Sequence, residues 1–280
     1  MAGGRLPAAA RVSRAVLRVA DLHRAVDFYT STLGFQATAR GELSAGGEVL
    51  LQLLETPGAE PKPEWATGLY HCAVLLPTRA DLGRALRHLL ESGTRLQGAS
   101  DHLVSEAVYL ADPDGNGIEI YRDRPREEWP RIGERIQMAT DPLEAEAVLA
   151  EAEREGRPFS GLPAGTTIGH IHLQVGEIPP AEEFYVRRLG FDVMAAMPSA
   201  LFLSAGGYHH HVGLNTWTSR GQGPVSGTAG LEEFSLVLPE PAARETVIER
   251  VTAAGLAVDR SDGDPVVADP WQNRIRLRVG

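Results

Sequence analysis

The segment Leu17-Arg18-Val19-Ala20-Asp21-Leu22-His23-Arg24-Ala25-Val26-Asp27-Phe28-Tyr29, closing on Leu33-Gly34-Phe35, returns as Leu173-Gln174-Val175-Gly176-Glu177-Ile178 through Phe184-Tyr185, closing on Leu189-Gly190-Phe191. Each copy reads as an apolar strand, a turn, an amphipathic helix and a glycine stop before another strand. A second pair of repeats lies between and after these. Gly68-Leu69-Tyr70-His71-Cys72-Ala73-Val74-Leu75-Leu76-Pro77 corresponds to Gly230-Leu231-Glu232-Glu233-Phe234-Ser235-Leu236-Val237-Leu238-Pro239, and the stretch from Asp112-Pro113 to Tyr121 corresponds to that from Asp269-Pro270 to Arg278. Four modules follow, over 12–57, 68–124, 168–217 and 230–280, each of one strand, one helix and three strands. The fold class is therefore α+β, four βαβββ modules. The sequence divides into a pair over 12–124, a linker over 125–165 and a pair over 166–280. The linker carries one helix, expected to be capped by Asp141 ahead of Pro142 and stopped at Gly156.

The end of the second module carries the densest chemistry. In the run from Asp101-His102 through Ser105-Glu106-Ala107-Val108-Tyr109 to Asp112-Pro113-Asp114-Gly115-Asn116-Gly117-Ile118-Glu119, a strand with Tyr109, a glycine-bearing turn and a return strand with Glu119 make a hairpin. The turn is structural; the later glutamate spacing of a calcium loop is absent. This hairpin resembles the closing signature of the extradiol ring-cleaving dioxygenases, with Ser100 a mild departure two places before the histidine. The four modules, with their Leu-Gly-Phe helix ends, resemble the vicinal oxygen chelate superfamily over nearly the whole chain. That superfamily includes glyoxalases, bleomycin-resistance proteins, some epimerases and the type I extradiol dioxygenases, so fold alone does not settle function. The resemblance implies that modules pair into two half-barrels, with metal ligands on first strands and last strands.

On that rule the ligand positions of the third and first modules are His170 and Arg14. The second module offers His71 and Glu119, and the fourth offers Glu233 and Arg276. Only His71, Glu119 and His170 have ligand chemistry. Two histidines and one carboxylate suit Fe(II) with open positions, and Mn(II) accepts the same set. Since these ligands come from modules 2 and 3, those modules are predicted to share one barrel, with 1 and 4 closing the other. Arg14, Glu233 and Arg276 are predicted to cluster where the second barrel lacks a metal, since paired buried charges are less costly than lone ones. In Tyr208-His209-His210-His211-Val212, read as part of the last strand, alternation sets His210 on one face and His209 with His211 on the other. The resemblance assigns His210 an acid–base role beside the metal, and Tyr109 and His102 roles over the substrate. His172 shares the face of His170. Cys72 points away from the site as a buried apolar residue.

A net charge of −10 leaves no basic stripe for nucleic acid, and no apolar run reaches membrane-spanning length. The start of the chain lacks a leader pattern, and the single cysteine fits a reducing cytoplasm. The resemblance implies an Fe(II)-dependent extradiol dioxygenase that takes O₂ as co-substrate and a small aromatic diol of the catechol type, and a homodimer is the default assembly. The alternatives are a glyoxalase-like isomerase or epimerase and an aromatic-ligand binding or resistance protein. Glyoxalase sites as a rule use a glutamate in each module, and the first module has Gln52 instead.

Overall fold

The computed structural model describes residues 4–133 and 135–280. Two curved sheets carry the fold. In the larger, the first strands of modules 2 and 3, Gly68–Leu75 and Thr167–Gln174, run antiparallel at the centre. Each lies parallel to the last strand of its own module, Gly117–Asp123 and Val212–Asn215. Hairpin strands Ser105–Ala111 and Gly98–Asp101 extend one side, and Ala200–Ser204 and Asp192–Met197 the other. The smaller sheet repeats this plan around Arg11–Val19 and Gly230–Leu238, the first strands of modules 1 and 4. Modules 2 and 3 thus form one barrel and 1 and 4 the other, as the ligand positions require. The stretches 12–124 and 166–280 are halves of the sequence rather than barrels, because each gives one module to each sheet.

The correspondence extends to irregularities. Gly169 and Tyr70 are extra residues in the central pairing of the larger sheet, where Ile168 and His170 face Val74 and Ala73, and His172 and Leu173 face His71 and Leu69. Ser13 and Glu232 are the equivalent bulges in the smaller sheet. A bulge re-aims the side chains around it, which is why such features gather next to sites.

In modules 1 and 3 the helix widens after its first turns. Leu22–Asp27 passes into the π-turn Phe28–Thr32, and Ile178–Glu182 into Glu183–Leu189, each stopped by a left-handed glycine, Gly34 at φ 82° and Gly190 at φ 99°. Within these turns the buried Tyr29 and Tyr185 hydroxyls donate to Asp112 (3.2 Å) and Asp269 (3.0 Å) in the following module. Asp112 also accepts from the backbone of Asp114 and Asn116, so the turn is held by its own first residue. Module 4 departs from the expected three strands: after its helix only Val266–Ala268 and Arg274–Val279 form, and the remaining strand is reduced to a bridge at Asp259. Asp259 instead folds its carboxylate back onto Ser261, and Pro265 follows.

Between modules 2 and 3 the helix Ala145–Glu155 packs on Arg79–Glu91, with Gly83 beneath the Val148 carbonyl. Gly156 ends it in the left-handed region, as expected. Asp141 does not cap it: Asp141–Pro142 pairs with Gly98–Asp101 at the sheet edge, and Glu144 stands at the helix start without a side-chain cap. One continuous apolar cluster, with Leu17, Leu53, Leu86, Ile120, Leu173 and Leu236, spans both barrels. Cys72 belongs to it, and burial pushes its thiol up to about 12. No helix among the described residues is long and apolar enough to cross a membrane.

Candidate metal centre

His71, Glu119 and His170 meet inside the larger barrel, all three buried. His71 Nε2 lies 2.9 Å and His170 Nε2 3.0 Å from Glu119 Oε2, and the two imidazole nitrogens are 3.3 Å apart. Ligands about 2.1 Å from an ion and at right angles to one another stand about 3.0 Å apart, so these three atoms describe one face of an octahedron. Burial alone would push the Glu119 carboxyl up, but the imidazoles of His170 and His71 outweigh it and hold the group well below the usual carboxylate range. Burial pushes His170 down to about 4, which keeps it neutral as a ligand must be. Its Nδ1 is buried without a hydrogen-bond partner among the described residues, and its ring is held by packing between His210 (centroids 4.0 Å apart) and Tyr121 (4.9 Å).

Around this set the other candidates take definite places. Tyr109 stands opposite Glu119 across the hairpin, and its hydroxyl lies 2.6 Å from His102 Nε2. His102 Nδ1 is 2.6 Å from the Ala139 carbonyl, which only a donor satisfies, so Nε2 of the neutral ring accepts from Tyr109. Burial, with Glu119 beside it, raises the Tyr109 pKa and keeps the phenol protonated. His172 packs on His71 at 4.9 Å between ring centroids and approaches Asn215 Nδ2 at 3.1 Å. The place opposite, where a last-strand ligand from module 3 would stand, is Gly213, and a methyl there would lie 2.8 Å from the His172 ring.

The histidine run corrects one expectation. Residues 208–211 are a turn ahead of Val212–Asn215, so strand alternation does not govern them. His210 does reach the site, its ring tilted at 45° against that of His170. His209 lies on the same side, 6.1 Å from His170, with Nδ1 2.7 Å from His210 Nδ1 and Nε2 2.8 Å from Asp123 Oδ1. His211 turns away to accept from the Ala205 amide.

In the smaller barrel Arg276 grips Glu233 through two bonds of 2.6 and 2.8 Å, as predicted, but Arg14 does not complete the cluster. Its Nη2 donates to Gln52 at 3.1 Å, and its buried Nε has no partner among the described residues. Burial, then the charges of Arg278 and Arg276, lowers its pKa. Arginine at two of the equivalent ligand places makes this barrel hostile to a cation.

Residues 11–120 and 167–277 each match the Glyoxalase/Bleomycin resistance protein/Dioxygenase superfamily. The chain belongs to that superfamily. Within it, the chain is 45% identical over 269 residues to the catechol-2,3-dioxygenase of Bacillus subtilis strain 168, covering 92% of this chain and 93% of that protein. A lactoylglutathione lyase of Escherichia coli O157:H7 is 28% identical over 127 residues, 41% of this chain and 93% of that one. Among solved structures, glyoxalase I of Zea mays shares the fold at a TM-score of 0.58 and 17% identity, over 96% of this chain and 92% of that one. The CppA protein of Streptococcus pneumoniae TIGR4 does so at 0.55 and 12%, over 96% and 99%.

Compared with what the sequence of this superfamily member suggests, the site holds four further residues. Tyr70 and Trp217 are 42% and 49% exposed, their ring centroids 5.3 Å apart, and both border His172. Tyr70 also lies 5.3 Å from His71, its chain neighbour, because the bulge removes the usual alternation between them. His209 and Asp123 are the others. Alternation along Gly117–Asp123 already sets Glu119, Tyr121 and Asp123 on one face, a signal that was available.

Proposed function

We propose that the protein is an Fe(II)-dependent extradiol dioxygenase that opens the ring of a small catechol-type diol with O₂. The convergence of His71 Nε2, Glu119 Oε2 and His170 Nε2 from two modules carries the reading, supported by the 45% identical Bacillus subtilis relative. These three side chains would hold the ion, and Mn(II) fits the same set. When bound, the ion supplies Lewis acidity toward the diol and open positions for the diol and O₂.

The chain's own groups do the rest. Tyr70 and Trp217 present aromatic edges at the mouth, where a planar ring gains offset or edge contacts and displaces water. Tyr109 spends its proton on His102, so its phenol oxygen is left to accept from a substrate hydroxyl. His210, whose Nε2 has no partner among the described residues, takes a proton from the substrate side and returns it during ring opening; an imidazole suits both tasks. His102, anchored on Ala139, fixes where the Tyr109 oxygen stands. Among the described residues a glyoxalase-like reaction finds no second carboxylate at a ligand place, since Gly213 occupies that place and Gln52 lies in the other barrel. A homodimer is the default assembly, which light scattering on the purified protein checks.

The test is direct. Protein purified without oxygen, loaded with Fe(II) and given catechol under air is expected to form a yellow ring-opened product with one O₂ consumed per diol. Metal-loaded protein that leaves a panel of catechols intact overturns the reading.

A further inference from the structure

Behind His210 lies a buried chain of polar groups that binding a metal and a diol does not require. His210 Nδ1 is 2.7 Å from His209 Nδ1, His209 Nε2 is 2.8 Å from Asp123 Oδ1, and the Tyr208 hydroxyl donates to the same oxygen at 3.2 Å. Tyr121 lies behind Tyr208, hydroxyl to hydroxyl at 2.8 Å. His209 is fully buried, whereas Asp123, 24% exposed, reaches the surface. The two residues come from different modules: Asp123 ends the last strand of module 2, and His209 sits in the turn of module 3.

The direction of each bond follows from what each group can do. A carboxylate only accepts, so His209 Nε2 carries a hydrogen. In the neutral ring His209 Nδ1 then has a lone pair, and at 2.7 Å it requires a hydrogen on His210 Nδ1. His210 is thereby left with a bare Nε2, the edge without a partner among the described residues. Free imidazole has no such restriction. We infer that His209 and Asp123 are positioning residues that hold His210 as its Nδ1–H tautomer and draw its charge away from the metal centre. The inference rests on the dioxygenase reading for its catalytic part only. When His210 Nε2 takes a proton from the substrate, the Nδ1 hydrogen passes to His209 Nδ1, which leaves a neutral His210 and an imidazolium at His209 against the Asp123 carboxylate. The reverse movement returns the proton, and nothing is oxidised or reduced. A positive charge on His210 would stand in ring contact with His170 and repel the ion; on His209 it is paired.

The tautomers are read without turnover. Long-range ¹H–¹⁵N correlation spectra of the full-length, ¹⁵N-histidine-labelled, metal-free protein are expected to show His210 protonated on Nδ1 and His209 on Nε2. His209→Phe is expected to move His210 to the Nε2–H form, and Asp123→Leu to free His209 to adopt either. In the Fe(II)-loaded enzyme both variants should lower kcat for catechol by roughly 10- to 100-fold, part of what acid–base catalysis contributes, with KM and iron content within about 2-fold. Wild-type His210 protonated on Nε2 overturns the proposal, and that measurement needs no variant to fold. Variants with unchanged kcat overturn the relay. If wild type cleaves no catechol while the tautomers are as stated, the function fails and the positioning stands.

Discussion

Gly169, the bulge residue beside His170, sets the most exposed prediction. A methyl built on it would lie 1.8 Å from the Tyr121 hydroxyl oxygen and 2.8 Å from Cζ. Ordinary contact begins at 3.4 Å, so Gly169→Ala forces a separation of about 1.6 Å. Tyr121 is fully buried, with its hydroxyl bonded to Tyr208, and the ring has nowhere to retreat. The strand that carries His170 must yield in part. Overpacking of this kind costs about 1–3 kcal/mol, and a lost hydroxyl bond adds about 1. At about 2–4 °C per kcal/mol, melting of the metal-free variant should fall by roughly 4–16 °C. Displacement of His170 should weaken Fe(II) binding, measured by anaerobic titration, on the order of 10- to 100-fold. The cause is tested by Gly169→Ala with Tyr121→Phe: the nearest atom is then Cζ, the required movement drops to about 0.6 Å, and part of the metal affinity should return despite the second substitution. If Gly169→Ala melts and binds iron like wild type, the close approach is not a constraint. If Tyr121→Phe brings no recovery, the hydroxyl is not the obstacle.

Glu119→Ala removes the only carboxylate of the set and should reduce iron binding by more than about 100-fold, read by metal analysis after anaerobic gel filtration. His210→Ala should keep iron content near wild type while kcat falls roughly 10²- to 10⁴-fold, a split a structural role does not produce. Tyr70→Ala and Trp217→Ala should raise KM for catechol roughly 2- to 10-fold with kcat little changed, since an aromatic contact contributes about 0.5–1.5 kcal/mol; equal KM values refute a role in ring binding. His211 is buried, and burial pushes its pKa down to about 3 from 6.5. The unfolded chain takes up that proton as pH falls below 6.5 and the folded one does not, so stability is lost toward acid at about 1.4 kcal/mol per pH unit. Urea unfolding at pH 7 and pH 5 should show His211→Gln losing about 2 kcal/mol less than wild type between them.

The candidate metal ligands were legible because the repeat supplies a register: once His170 and Arg14 are equivalent, the identity of each residue decides which barrel could hold an ion. The pairing of modules 2 and 3 followed from those ligands having to meet. His209 and Tyr70 were not legible in the same way. Periodicity assigns faces only while a strand stays regular, and the histidine run follows Gly206 and Gly207, both at positive φ, in a turn whose path sets the side chains. Tyr70 stands on a bulge created by pairing with another module, which no local pattern records. Asp141 failed as a cap for a similar reason, since a distant strand, Gly98–Asp101, competes for it. Arg14 was placed correctly on its face, but its partner Gln52 comes from its own module rather than from module 4.

The exchange of modules between sheets also has a consequence in time. A ribosome that has released residue 217 has delivered all strands of the nine-stranded sheet, so the barrel of the candidate metal centre is complete while the chain is still growing. Arg11–Val19, made first, pairs with Gly230–Leu238 and waits for it. Gly230–Leu238 is complete 21 residues later, the difference between 238 and 217, which at roughly 5–20 residues per second takes roughly 1–4 s. For that interval module 1 presents an open strand edge, and the arginine-rich barrel, which comes last, closes it.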